Sequence, residues 1–202
     1  MFLAIYLIVV FASWAMLVRE GLWSNAISLV NILVSGLVAF AFYSPLAIRL
    51  DDQFDGQYTY VLDFLCIWAL FVASMIVSRL VTGAASKTRM RFKHPIDPVG
   101  GPLVGLMAAW VLSTFVMATL HTSPMPKDAF GGKLIHTESE VETASALTSP
   151  DLGWLRFVER ASAPTAFGSS DTTQFRAWRF VQIYEDHRTK LEASTSLRVT
   201  RG

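Results

Sequence analysis

The residues of this chain that could do chemistry are few and scattered. Its four histidines each lie without a second ligand at the spacing typical of a metal site, and they are His94, His121, His136 and His187. Cys66 is the only cysteine, so an intramolecular disulfide is excluded. The sequence therefore predicts no metal and no cofactor.

The hydrophobic segments also lack the side chains of an intramembrane enzyme. They contain no histidine and no pair of aspartates at matching depth, and the chain has no nucleophile elbow. A lone Asp63 could take up a proton, but its position about one turn from the end of its segment favours a solvated or arginine-paired carboxylate. We predict that the protein is not an enzyme and has no catalytic residues.

Polar side chains follow one face of the second hydrophobic segment. Ser28, Asn31 and Ser35 are spaced by three and four residues, which places them on one side of a helix. The pattern favours packing, with Asn31 hydrogen-bonded to another helix. Alternatively, the three side chains line a polar path for a solute.

A second pattern of small residues follows one face of the last hydrophobic segment. Gly101, Gly105, Ala109 and Ser113 recur every four residues and predict a helix-packing seam, along which two helix backbones approach closely. The seam could pack within one bundle or against a second copy of the chain.

The elements that must position these residues are hydrophobic helices. The chain is 52% hydrophobic and 16% charged, and four apolar segments of about 20 residues cover about 1–18, 22–43, 60–80 and 99–120. Segments of this length can cross a bilayer, and there they must be helical. The first could be a signal peptide, but Arg19-Glu20 replaces a cleavage site and no basic residues precede it, which favours an uncleaved span. The predicted fold class is an all-α polytopic membrane protein with four transmembrane helices.

Two prolines predict helix boundaries. Pro45 is expected to help end the second span. Pro98 is expected at the first position of the fourth span, which begins at residue 97 or 98 with Asp97 as its N-cap.

The charges predict an orientation. The loop before the fourth span is basic, and short basic loops remain cytoplasmic; its residues are Lys87, Arg89, Arg91 and Lys93. Both termini are then extracytoplasmic. The basic segment could also bind anionic lipid headgroups at the inner leaflet, or serve orientation alone. A net charge of +1 gives no basic footprint for nucleic acid.

Residues 121–202 carry most of the charge. Residues 121–150, with several prolines and glycines, are predicted to be a linker. The tail, residues 151–202, should form short extracytoplasmic helices. The first should be capped by Asp151, and the second should follow a capping-box pattern at Asp171 and Gln174. They are expected to dock on each other, on the outer face of the bundle or on a partner.

Three features of residues 1–120 carry a family resemblance. They are the turn Arg19-Glu20-Gly21, the small and polar face that ends at Ala41-Phe42-Tyr43, and the segment Asp97–Gly105 with its glycines. With these the chain resembles the colicin V production protein (CvpA-like) family of bacterial membrane proteins. It departs at Met107-Ala108-Ala109, where family members often have an Arg-Gly pair, and in its long C-terminal region.

The resemblance implies a role in toxin (bacteriocin) production or export and in cell-envelope homeostasis, at the bacterial inner membrane and without established chemistry. Two functions stay open. The protein could be a scaffold or assembly component that contacts other membrane or envelope proteins. Alternatively, it could be an oligomeric small-solute transporter or channel subunit lined by Ser28, Asn31 and Ser35.

Overall fold

The computed structural model describes residues 2–54, 58–85, 96–163 and 174–193, and this part of the chain is helical without strands. The all-α prediction is therefore confirmed. The helices are α1 (Phe2–Leu17), α2 (Leu22–Gln53), α3 (Thr59–Ala85), α4 (Ile96–Thr119), α5 (Glu138–Thr143), α6 (Pro150–Ala161) and α7 (Ala177–Ala193). Two short 3-10 turns lie between α4 and α5, at Leu120–Thr122 and Ala129–Gly131.

Three regions of the described chain are long and apolar enough to cross a membrane. They are Leu22–Gln53, Val61–Ala85 and Asp97–Thr122. The first predicted span corresponds to α1, which is apolar but shorter, with 16 residues. Length and hydropathy thus support three of the four predicted spans.

The second span does not end before Pro45 as predicted. α2 continues through the proline to Gln53, which gives it 32 residues. Proline removes one backbone hydrogen bond from a helix interior. Packing beyond the proline offsets this loss, because Ala47 is buried against Leu62 and Cys66 of α3.

α2 is the central helix of the bundle, with α3 and α4 packed against it and α1 packed against α4. The indole Nε1 of Trp14 in α1 donates to the carbonyl of Pro102 in α4, at 3.1 Å. At the opposite end of α1, the Phe2 ring meets Phe130, which follows α4 in the chain, with centroids 5.9 Å apart. α1 therefore packs along α4, with its last turn next to the start of α4 and its first turn next to the segment that follows α4.

The tail and the bundle share one hydrophobic core. Trp154 of α6 is 2% exposed and packs against Phe40 of α2 and Phe115 of α4. A Cβ atom at Gly36 would collide with its ring, so glycine makes room for the indole there. Phe180 of α7 joins the same core. The tail helices thus dock on the bundle and on each other.

The region between bundle and tail has local structure of its own. α5 begins with a capping box, in which the side chains of Thr137 and Glu140 each accept a hydrogen bond from the backbone N–H of the other residue. α6 begins at Pro150 after Ser149, so Asp151 lies inside its first turn and does not occupy the predicted cap position. The predicted cap Asp171 lies outside the described residues, and α7 begins later, at Ala177.

Candidate functional site

The first turn of α4 is joined to the first turn of α2. α4 begins at Ile96, one residue earlier than predicted, which puts Asp97 in its first turn. Asp97 Oδ1 accepts the backbone N–H of Leu22 at 2.8 Å. Asp97 therefore caps α2, and the prediction that it serves as the N-cap of its own helix is wrong. The two helix starts lie side by side, so the carboxylate reaches the neighbouring one.

The predicted seam of α4 faces the other helices of the same chain. Gly101, Gly105, Ala109 and Ser113 are all buried. A Cβ at Gly101 would lie 2.9 Å from the carbonyl oxygen of Glu20, in the turn between α1 and α2. A Cβ at Gly105 would lie 2.9 Å from Nδ2 of Asn25 in α2. The close approach that the seam allows is thus used inside the bundle.

Asn25 of α2 is fully buried, and it is not among the residues predicted from the sequence. Its Nδ2 lies 2.7 Å from the Gly101 carbonyl, 3.1 Å from the Leu17 carbonyl and 3.3 Å from the Glu20 carbonyl. One amide thereby connects the end of α1, the turn and α4. Asn25 lies three residues before Ser28 and so continues the spacing of the predicted polar face, which is the signal that could have identified it.

A cavity of about 890 Å³ opens at this end of the bundle. It lies between the last turns of α1 and α3 and the first turns of α2 and α4. Such a volume is in the range of small-molecule sites. Its polar lining carries both signs of charge and comprises Arg19, Glu20, Ser24, Ser28, Asn31, Arg79, Thr82 and Asp97.

The structure separates the three residues of the predicted polar face. Ser28 and Asn31 line the cavity, and Asn31 Nδ2 donates to Thr82 Oγ1 of α3 at 3.2 Å. Ser35 is buried deeper, where its Oγ lies 3.9 Å from Met75 Sδ. The face therefore borders an open space at one end and is closed by α3 at the other.

The predicted inner-leaflet basic segment, with Lys87, Arg89, Arg91 and Lys93, lies outside the described part of the chain. The basic residue nearest to it on α3, Arg79, lines the cavity.

At the opposite end of the bundle, Asp63 has a partner from the tail. The hydroxyl of Tyr184 in α7 donates to Asp63 Oδ2 at 2.8 Å. The expected solvated or arginine-paired carboxylate is wrong, because α7 covers this end of α3. Burial, with Tyr43 and Asp63 alongside, raises the pKa of Tyr184 far above its usual value, so the phenol stays protonated as a donor.

Three potential metal ligands meet next to this contact. His121 Nε2 and His136 Nε2 lie 2.9 Å and 3.0 Å from the same oxygen, Asp151 Oδ2. The His121 and Asp151 side chains are 0% and 2% exposed, and that of His136 is 14% exposed. We call these three residues the His-Asp-His cluster. The spacing of the histidines along the chain gave no sign of this cluster, because His121 and His136 lie 30 and 15 positions before Asp151 and meet it only through the fold.

The charges around the cluster are buried. Burial alone would raise the pKa of Asp151, but the hydrogen bonds from both histidines outweigh it and hold that pKa well below the usual range. Arg188 of α7 is 3% exposed, and its Nη2 donates to the His121 carbonyl at 3.0 Å. A buried carboxylate and a buried guanidinium therefore both contact His121 at the junction of bundle and tail, the first at its ring and the second at its carbonyl.

Comparison with known proteins identifies one family. A family model described as colicin V production protein matches residues 3–144, more than two thirds of the chain. The matched range covers α1 to α5 and ends before α6. No curated protein and no solved structure matches the chain.

Proposed function

Because the chain belongs to the colicin V production protein family, we propose that it is a non-enzymatic scaffold or assembly component of the bacterial inner membrane. It acts in the production or export of colicin V-type toxins and in cell-envelope homeostasis. The family is not a known enzyme family. The observation that carries the proposal is the core shared by bundle and tail, which holds the water-exposed helices rigidly on a membrane anchor.

The surface of the bundle supports insertion in a bilayer. Large apolar side chains are exposed along every helix of the bundle, among them Ile8, Val30, Ile76 and Leu103. In water so much exposed apolar surface would favour aggregation, whereas in lipid it is solvated. The family and the three apolar helices together indicate a membrane location.

We include α1 as a fourth span. Its 16 residues extend about 24 Å, slightly less than the hydrocarbon thickness of about 30 Å. Contacts at both of its ends, Trp14 with Pro102 and Phe2 with Phe130, hold it parallel to the axis of α4. Slight thinning of the bilayer would accommodate the difference in length.

In the proposed orientation the cavity faces the cytoplasm and the tail lies outside. Arg19 and the basic segment are then both cytoplasmic, as the positive-inside rule requires. The basic segment would attract anionic lipid headgroups. The segment between bundle and tail would present an apolar contact point to envelope proteins at Leu147, which lies just before α6 and is 84% exposed.

Toxin release and crosslinking test the scaffold function. Cells that lack the protein should release less colicin V-type toxin than cells that carry it, and the chain with Leu147→Ala should restore release only in part. A photo-crosslinker at residue 147 should capture a component of the toxin export machinery, while one at Ile76, an exposed apolar position of α3, should not. Unchanged toxin release together with no protein crosslink at residue 147 would contradict the proposal.

A second candidate function is an oligomeric transporter or channel subunit for a small solute. The cavity that Ser28 and Asn31 line specifically favours it. Four spans leave little room for a central path, so several copies would have to assemble. Asn31→Leu should then abolish solute flux into reconstituted vesicles, while Val34→Leu, at an exposed position of α2, should leave it intact. Equal flux in both variants, or none in the wild type, excludes this function.

A further inference from the structure

We propose that His121, His136 and Asp151 form a binding site for a divalent transition-metal ion of the zinc type at the junction between bundle and tail. Two imidazoles and one carboxylate are a common ligand set for such ions. The inference does not depend on the proposed scaffold function. The site also includes one residue of the tail, Asp151, which lies outside the range that matches the family.

The three donor atoms already converge. His121 Nε2, His136 Nε2 and Asp151 Oδ2 all lie within 4.8 Å of one another, and both nitrogens face the same oxygen. In a tetrahedral zinc site, ligand distances of about 2.0–2.2 Å place neighbouring donors roughly 3.3 Å apart. Side-chain rotations would have to move each nitrogen a few tenths of an ångström away from the oxygen and bring the two nitrogens, which lie at most 4.8 Å apart, to a similar spacing.

Each donor comes from a different, well-anchored segment. His121 follows α4 directly, and Arg188 holds its carbonyl at 3.0 Å. His136 directly precedes the capping box of α5. Asp151 lies in the first turn of α6, whose next residues are packed in the shared core. The fold therefore supplies the preorganisation that a metal site needs.

The exposure of the three donors determines where an ion would enter, and the number of ligands and the nearby charges determine how tightly it would bind. His136 is the only partly exposed donor of the cluster, so the ion would enter from its side. Three protein ligands leave a coordination position for water. The positive charge of Arg188 beside His121 opposes a cation, so the affinity should be lower than that of a four-ligand structural zinc site. A bound ion would join the end of α4, the segment before α5 and the start of α6.

Metal titration of the full chain in detergent tests the site. Protein stripped with a chelator should bind one Zn²⁺ per chain and unfold several degrees higher in its presence, while Mg²⁺ should give no shift because it disfavours nitrogen ligands. His136→Gln should weaken zinc binding at least tenfold. His187→Gln, which changes a tail histidine outside the cluster, should leave binding unchanged. Equal zinc binding by the wild type and His136→Gln would overturn the proposal.

A spectroscopic measurement on the wild type covers the case in which a variant fails to fold. Zinc-edge X-ray absorption of the loaded full chain should show a first shell of nitrogen and oxygen with the multiple scattering of two imidazoles. Fewer than two imidazoles, or no stoichiometric zinc, would overturn the proposal. The cluster would then be a hydrogen-bonded contact alone.

Discussion

The Asp97 carboxylate accepts the backbone N–H of Leu22 at 2.8 Å, across 75 residues of sequence. It thereby satisfies one of the free donors at the start of α2 and places a negative charge at the positive end of that helix dipole. The space at this point is small, because a Cβ at Gly21 would lie 3.2 Å from the same carboxylate oxygen. The contact fixes the two helix starts to each other at the mouth of the cavity.

Asp97→Ala should destabilise the bundle by about 0.5–2 kcal/mol, the usual loss for a removed cap. Asp97→Asn keeps an oxygen acceptor and should lose less. Denaturant unfolding in detergent micelles measures both changes. Asp128→Ala, which removes an exposed carboxylate near a 3-10 turn, is the control. If the alanine variant at position 97 is as stable as this control, the cap contributes nothing.

Gly105→Ala should destabilise the bundle by about 1–3 kcal/mol, the typical cost of overpacking. The added Cβ would lie 2.9 Å from Asn25 Nδ2 and disturb its bonds to three carbonyls. The matched control is Gly83→Ala in α3, where a Cβ meets nothing within 4 Å. That variant should be neutral or slightly more stable, since Gly83 lies in the last turn of α3, where the cost of glycine should not exceed the roughly 0.5–1 kcal/mol of a helix interior. Thermal unfolding curves of the two variants that coincide would refute the packing role of the seam.

Trp154→Ala should release the tail from the bundle. Removal of a buried tryptophan costs about 3–5 kcal/mol, and Trp154 fills the space above Gly36 between Phe40 and Phe115. Limited proteolysis should then cleave α6 much faster than in the wild type. Leu147→Ala, at a position that is 84% exposed, should leave the cleavage rate unchanged. A tail as resistant in Trp154→Ala as in the wild type would mean that other contacts hold it.

Tyr184→Phe should weaken the attachment of α7 by about 1–3 kcal/mol. The change removes the hydroxyl that donates to Asp63 Oδ2 and leaves a half-buried carboxyl oxygen without this donor. A double-mutant cycle with Asp63→Asn, in which the free energy of unfolding of each variant is measured in detergent, gives the coupling energy between the two side chains directly. Tyr58→Phe provides the comparison, because Tyr58 is 53% exposed. Additive effects of the two changes would show that the contact is energetically unimportant.

The sequence by itself determined the helical membrane architecture and the family. Long apolar segments must become helices in lipid because every backbone polar group needs a partner within the segment, so composition over about 20 residues suffices. Periodicity within one helix also identified the face that Gly101 and Gly105 share, because residues four apart always lie on one side. The local helix-breaking effect of proline predicted an end near Pro45, but α2 continues through it because packing against α3 offsets the missing hydrogen bond.

Only the tertiary structure decided which polar residues meet. Asp97 reaches α2, Asp63 reaches Tyr184 at a separation of 121 residues, and His121, His136 and Asp151 converge from three segments. No periodic pattern encodes these contacts, because each depends on how separately formed helices pack side by side. The free energy of burial in the shared core brings the tail to the bundle, and these polar contacts form where that packing leaves donors and acceptors facing each other.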